Sequence, residues 1–241
     1  MNSAFYQEKV ENTLLVKDKE EFHHLVKVRR VRKGEIIRLI DGKGNEFIAR
    51  VDEINLRGRV LKATILEHHL KKHELPFKIT LAFSPLADGK ANDYLIEKCT
   101  ELGVNGFVPV LFERSVKKRF RLERWSRIAR EAVKQSNRST VPTIVEPISF
   151  PELLKIEGFQ HKFFGYLEGN PLDCETSILG DTLIVIGPEG DLTSKEVEAL
   201  LKAGFTGFRF GETVLKAETA AVALATLIIF RMGGTIKIKR R

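Results

Sequence analysis

Leu183-Ile184-Val185-Ile186-Gly187-Pro188-Glu189-Gly190-Asp191, followed by Thr193-Ser194-Lys195-Glu196, is the stretch on which the reading of the fold turns. Four consecutive apolar residues, three of them β-branched, run straight into a Gly-Pro turn. A run without alternation suits a strand buried on both faces. Thr193 and Glu196 have capping-box spacing, so a helix opens directly after the turn. Strand, turn and helix in that order make the unit of a parallel sheet, whose ligands lie beyond the carboxyl ends of strands. The glycine spacing fits neither a Walker loop nor a dinucleotide fingerprint. Glu189 and Asp191 would repel a polyphosphate and would suit a ligand with ribose hydroxyls and a positive centre. Taken alone, a tight structural turn explains the stretch equally well.

The same rhythm extends outward in both directions. Strands are predicted at Phe77-Phe83, Phe107-Leu111, Thr143-Glu146, His161-Leu167 and Thr206-Phe210, besides Thr182-Ile186. Helices are predicted at Ala91-Leu102, Arg121-Ser136, after Pro151, at Ser194-Lys202 and at Glu218-Phe230. Alternation of this kind implies an α/β fold with a mostly parallel sheet covered on both faces. A second loop, Phe210-Gly211-Glu212-Thr213-Val214-Leu215-Lys216-Ala217-Glu218-Thr219-Ala220, enters the most apolar helix of the chain. Gly211 would let backbone approach a ligand closely, and Glu218 and Thr219 sit where a helix presents free N–H groups. A loop that merely leads into a buried helix is the plainer alternative.

Upstream the pattern is different. Short strands at Glu35-Leu39, Glu46-Val51 and Arg59-Leu66, with a helix at Lys19-Val28, suggest a small β-barrel. Sixteen basic and eleven acidic residues give positions 1–72 a charge of +5. The polar stretch His68-His69-Leu70-Lys71-Lys72-His73 reads as a solvated linker rather than a metal site, because no ligand cluster accompanies its histidines. Domains are therefore expected at 1–72 and 73–241.

The whole chain carries a formal charge of +8, and its distribution matters more than its sum. Ten basic residues lie between Arg114 and Arg138, among them Lys117, Lys118, Arg121, Arg124, Arg127, Arg130 and Lys134, against the two acids Glu123 and Glu131. On a helical wheel Leu122, Trp125, Ile128, Ala129, Ala132 and Val133 share one face. Arg124, Arg127, Arg130 and Lys134 share the other. A face nearly all of one sign favours a phosphate backbone over plain solvent. Two cysteines, Cys99 and Cys174, make no disulfide framework, which suits a reducing compartment. Charges near Met1 leave no secretory leader, and Ala220-Phe230 is too short to span a bilayer.

Both loops and the basic stretch together resemble the RsmE family of ribosomal RNA uridine-N3 methyltransferases. Ile186-Gly187-Pro188-Glu189-Gly190 and Leu215-Lys216-Ala217-Glu218-Thr219-Ala220 carry the likeness, with Lys98-Cys99-Thr100-Glu101-Leu102-Gly103-Val104 and Phe112-Glu113-Arg114-Ser115. Gln135-Ser136-Asn137-Arg138 with Val141-Pro142 also matches. In the amino-terminal part His24, Val28, Arg30, Gly34, Asp41, Gly42 and Gly44 fit the family's barrel. Departures are Lys216 and Ala217 for the usual Arg and Thr, Asp191 for Gly, Lys134 for Glu, and Ala4 for a basic residue.

The resemblance implies a SPOUT methyltransferase domain with a carboxyl-terminal trefoil knot, preceded by a small PUA- or OB-like β-barrel. It implies S-adenosylmethionine as methyl donor, held by Leu167, Ile186, Gly187, Pro188, Glu189, Gly190, Phe210, Gly211, Val214, Leu215, Glu218, Thr219 and Ala220. Arg114 leads the catalytic candidates, with Arg138 and Lys216 as further cations and Glu113 or Glu218 as proton acceptor. Arg30, Lys117, Lys118, Arg124, Arg127 and Arg130 are the expected RNA contacts. The expected setting is cytoplasmic, as a homodimer acting on small-subunit ribosomal RNA without metal or membrane. Two rivals stand beside this reading. A nucleotide-cofactor oxidoreductase lacks its glycine-rich turn at Ser84-Pro85-Leu86-Ala87-Asp88-Gly89. An RNA-binding assembly factor without catalysis would have no need of both loops.

Overall fold

A computed structural model of the chain describes residues 1–116, 120–171, 178–209 and 211–233. Lys117, Lys118, Cys174 and Phe210 lie outside the described residues. The chain forms two compact units, Met1–Glu74 with Val133–Val141, and Leu75–Ala132 with Pro142–Arg241.

The first unit holds β1 (Ser3–Phe5), β2 (Glu8–Val10), β3 (Thr13–Val16), α1 (Lys19–His23), β4 (Ile36–Ile40), β5 (Asn45–Asn55) and β6 (Val60–Leu70). Its sheet runs β1-β4-β5-β6-β3-β2, antiparallel except for β1 beside β4. Leu14, Val16, Leu25, Ile37, Leu39, Ala49 and Leu61 fill its core. Asp18 caps α1 by accepting the N–H groups of Glu20 and Glu21. The helix expected over Lys19-Val28 is interrupted, because His24–Val28 forms a π-helical turn. The strand expected to end at Leu66 runs on to Leu70, so His68 and His69 belong to a strand and not to a linker. Pairing with β5 extends it: His68 stands opposite Phe47, and the two rings stack at 4.4 Å.

Val133–Val141 joins this unit through buried polar bonds that sequence does not advertise. Lys134 meets Glu21 at 3.0 Å. The Arg138 guanidinium donates to Glu74 through Nε at 3.1 Å and Nη2 at 2.8 Å. The other Glu74 oxygen accepts the N–H groups of Ser139 and Thr140, both at 2.9 Å. Arg38 bonds Glu46 and also reaches the carbonyls of Asn137 and Arg138, at 2.9 and 2.7 Å. Burying such ions is tolerable because each is matched by an opposite charge, with backbone groups adding to the bonds of Glu74 and Arg38.

The second unit is α/β. It holds β7 (Ile79–Phe83), α2 (Gly89–Leu102), β8 (Gly106–Leu111), α3 (Leu122–Gln135, running on into the first unit) and the short β9 (Thr143–Ile144) and β10 (Ile148–Ser149). Then come α4 (Phe150–Leu153), β11 (His161–Pro171), β12 (Thr182–Ile186), α5 (Ser194–Lys202), β13 (Thr206–Arg209) and α6 (Ala217–Arg231). All its strand pairs are parallel, in the order β10-β8-β7-β12-β11-β13, with β9 also on β8. Every residue of β12 is buried. Ile184 and Ile186 face one core with Leu81, Phe83, Trp125 and Leu224, while Leu183 and Val185 face the other with Val108, Leu200 and Phe205. That two-sided burial is why the strand reads as an unbroken apolar run. Asp88 caps α2, and Gly103 ends it at φ +109°, where an added Cβ would lie 2.7 Å from Leu75. No helix among the described residues is long and apolar enough to cross a membrane.

Candidate functional site

β7, β8 and β12 lie side by side, and the loops leaving their carboxyl ends are bonded into one piece. Ser84 N–H donates to the Ile186 carbonyl at 3.0 Å, tying the first loop to the third. The Ser84 and Ser115 hydroxyls are 2.8 Å apart, and Ser115 Oγ accepts the Phe112 N–H at 2.8 Å. Arg114 Nη1 donates to the Gly190 carbonyl at 2.8 Å. Ala87 N–H donates to Glu189 Oε2 at 3.3 Å. Each bond fixes a loop that, by itself, would have only its strand ends to hold it.

Beside these bonded loops opens a cleft of about 560 Å³. Ile186, Gly187, Pro188 and Glu189 form one wall, and Gly211 with Val214, Leu215, Lys216 and Glu218 another. Leu167 and Ala220 complete the expected residues that line it. Two expected residues do not line it. Gly190 turns toward Arg114, whose Cβ and Cδ would lie 3.5 and 3.6 Å from a Cβ placed there. Thr219 is exposed on the first turn of α6.

Sequence reasoning missed several lining residues. Gly165 and Tyr166 reach the cleft because β11 slips register against β13 between Gly165 and Asn170. Nothing in the local pattern announces that slip. Asp88, Phe208, Arg209 and Thr213 also line the cleft, and so does Asp191, whose charge already suits a ligand with a positive centre on the reading of the sequence. Asp191 adopts φ +63° and its Oδ1 accepts the Leu192 N–H at 2.8 Å. Asp tolerates the left-handed region better than most side chains, which explains how it stands where the resemblance expects Gly. A hydrogen bond to Glu168, aided by burial, raises the Tyr166 hydroxyl above its ordinary range. Carboxylates at Asp88, Glu189, Asp191 and Glu218 outnumber the cations Arg209 and Lys216 around the cleft.

The catalytic candidates are distributed unevenly. Arg114 and Glu113 are exposed on the turn after β8, and Lys216 lines the cleft as the N-cap position of α6. Arg138 belongs to the first unit, is 2% exposed, and is bonded to Glu74. Among the RNA candidates Arg127 and Arg130 are exposed on α3, and Arg30 is exposed at φ +55°. Arg124 is already engaged by Asp93, with bonds of 2.9 and 2.6 Å. Arg121 lines a second cavity of about 240 Å³ with Phe120 and Trp125. Burial pushes the Cys99 thiol up to about 12, which removes it as a nucleophile. Among the described residues no group of three or more His, Cys, Asp or Glu is placed to hold a metal ion.

Comparison with known proteins gives a consistent picture. The family described as RNA methyltransferase domain matches residues 73–229, and RNA methyltransferase PUA domain matches residues 16–61. Ribosomal RNA small subunit methyltransferase E of Synechocystis sp. is 33% identical over 86% of this chain and 70% of its own. The Bacillus subtilis protein of the same name is 32% identical over 88% of each. The crystal structure of the Neisseria gonorrhoeae protein of that name, bound to S-adenosyl methionine, superposes with a TM-score of 0.85. That likeness holds at 30% identity and covers 95% of this chain and 97% of that one.

Proposed function

The chain belongs to the ribosomal RNA small subunit methyltransferase E family, and on that premise we propose that it methylates N3 of a uridine in small-subunit (16S) ribosomal RNA, with S-adenosylmethionine as donor. The observation that carries the reading is the cleft beside β12. Its volume of about 560 Å³ falls in the range of small-molecule sites. Its acids complement a ligand with a positive centre and hydroxyls, and Gly211 adds no side chain to its lining. When bound there, S-adenosylmethionine supplies a methyl group activated by a positively charged sulfur.

The residues would divide the remaining work. Ile186-Glu189, Gly211 and Val214-Glu218 would hold the donor, with Leu167 and Ala220 packing against it. Uracil N3 carries a weakly acidic proton, and losing it spreads negative charge onto the flanking carbonyl oxygens. Arg114, held beside Gly190, would meet that charge, and Lys216, which lines the cleft, would add a second cation. Glu218 lines the cleft and Glu113 adjoins Arg114, so one or other of these carboxylates would accept the N3 proton. The exposed Arg127 and Arg130 would take RNA phosphates.

Finer features follow from the same membership. The loops carrying Gly187 and Leu215 would thread a SPOUT trefoil knot, two copies of the chain would pair, and the setting would be cytoplasmic. The uncharged, mostly apolar run 220–230 of α6, which leaves Phe230 71% exposed, supports a paired chain.

Calorimetry with S-adenosylmethionine tests the cleft. A Cβ at Gly187 would already sit 3.0 Å from Leu192 Cγ, so Gly187→Val must shift either Leu192 or the loop that carries Gly187. We expect the wild-type chain to bind the donor and the variant to lose roughly tenfold or more in affinity. Equal affinity in the two would remove this loop from the site.

A further inference from the structure

Glu196 is the third residue of a capping box, and a capping box needs only one of its oxygens. Oε2 accepts the Thr193 N–H at 2.9 Å and the Thr193 hydroxyl at 3.0 Å, closing the start of α5. Oε1 leaves the helix altogether. It accepts the backbone N–H of Glu113, 83 residues earlier in the chain, at 2.8 Å. The whole residue is 5% exposed. A carboxylate that only capped a helix could do so from the surface. Burial is costly unless each oxygen has its donors, and here the second oxygen finds its donor in the turn that carries Arg114.

From this we infer that Glu196 is a positioning residue for Arg114, an inference that rests on the methyltransferase reading above. The turn at 112–115 is held from several directions. Glu113 N–H is pinned by Glu196, Ser115 N–H returns to the Phe112 carbonyl at 3.1 Å, and the Ser115 hydroxyl meets Ser84. The Arg114 guanidinium then closes on Gly190, in the loop that leads into α5. One carboxylate therefore ties together the turn that presents the cation and the helix start that follows the donor loop. That side chain is one of the ties that set their separation, and catalysis depends steeply on such placement.

Glu196→Gln separates this role from capping. An amide has one oxygen. The capping side offers two donors, so the oxygen is drawn there and the NH2 group faces the Glu113 N–H. Donor then opposes donor, and the turn must shift while the cap and the side-chain volume are retained. Thr193→Ala is the complementary control. It removes the capping hydroxyl but leaves the bond from Glu113 to Glu196.

The measurements are single-turnover methyl transfer at saturating RNA and donor, donor affinity by calorimetry, amide exchange at Glu113, and Tm. In E196Q we expect the rate to fall roughly tenfold or more, donor affinity to stay within about twofold, and Glu113 exchange to speed up. T193A should lower Tm yet keep the wild-type rate. Glu196→Asp, too short to reach both partners, should fall between wild type and E196Q. A wild-type rate in E196Q overturns the inference alone, as does a loss in T193A of the same size. A wild-type chain that binds the donor but transfers no methyl group would overturn the reading beneath it, and the inference with it.

Discussion

The turn at 112–115 and the segment Val133–Val141 come from one cationic run in the sequence, and the structure puts them to opposite uses. Arg114 is exposed, and among the described residues it bonds the Gly190 carbonyl rather than an acid, so its charge stays uncancelled there. Arg138 and Lys134 are buried against Glu74 and Glu21. The first keeps its electrostatic potential available to an anion; the second spends it on holding a segment within the first unit. What separates them is a carboxylate 64 residues away in one case and 113 in the other. A run of basic residues therefore says little about ligands until its acidic partners are located.

That contrast is most easily broken by removing one such partner. Glu74→Ala would leave the Arg138 guanidinium buried without its acid and should cost about 3–5 kcal/mol in urea denaturation. Arg114→Ala, on an exposed turn, should stay within about 0.5 kcal/mol of wild type. Comparable losses in the two would erase the distinction. Acid titration sharpens it. Burial alone would raise the Glu74 carboxyl, but the Arg138 guanidinium and the N–H groups of Thr140 and Ser139 outweigh it and hold it below its ordinary 4.5. A depressed carboxylate contributes stability that is complete above its unfolded value and lost as pH falls through the folded one. The wild-type chain should thus lose stability below about pH 4.5, and Glu74→Gln should flatten that limb.

Kinetics turns the comparison around. Arg114→Ala should lower the single-turnover methylation rate on the order of a hundredfold while leaving RNA and donor affinity nearly unchanged, since the cation faces charge that develops only during transfer. Loss of affinity with an unchanged rate would make Arg114 a phosphate contact like those on α3. Arg121 is a poor control because it lines the second cavity, and Arg127→Ala is the better one.

The smallest effect belongs to α3 itself. Arg127→Ala should reduce the slope of log affinity against log salt by about one. Arg124→Ala should change it less, because Asp93 already neutralises that guanidinium. Filter binding at several salt concentrations measures both, and equal slopes would return the helix face to plain solvent.

What could be read from sequence was what depends on near neighbours. β12 declared itself through an unbroken apolar run, and α5 through the spacing of Thr193 and Glu196. Most of the expected donor residues line one cleft because they follow strand ends in a parallel sheet. What escaped depends on distant partners. β6 extends through His68 and His69 because β5 is long enough to pair with them. Tyr166 faces the cleft because β11 slips against β13. Arg138 reads as one more cation of the basic run, and only the fold shows Glu74 bonded to it. Glu196 reads as a cap in sequence, and only the fold shows where its other oxygen goes.

The activity itself is tested most directly by reverse transcription of small-subunit ribosomal RNA after incubation of ribosomal particles that lack the modification. A methyl group on N3 removes the donor that uracil uses in base pairing, so reverse transcriptase halts at the modified position. With the wild-type chain and S-adenosylmethionine together we predict one new stop, at a uridine, absent when either is omitted and much fainter with Arg114→Ala. Donor binding with no new stop, or methyl incorporation without a stop at any uridine, would contradict methylation at uracil N3.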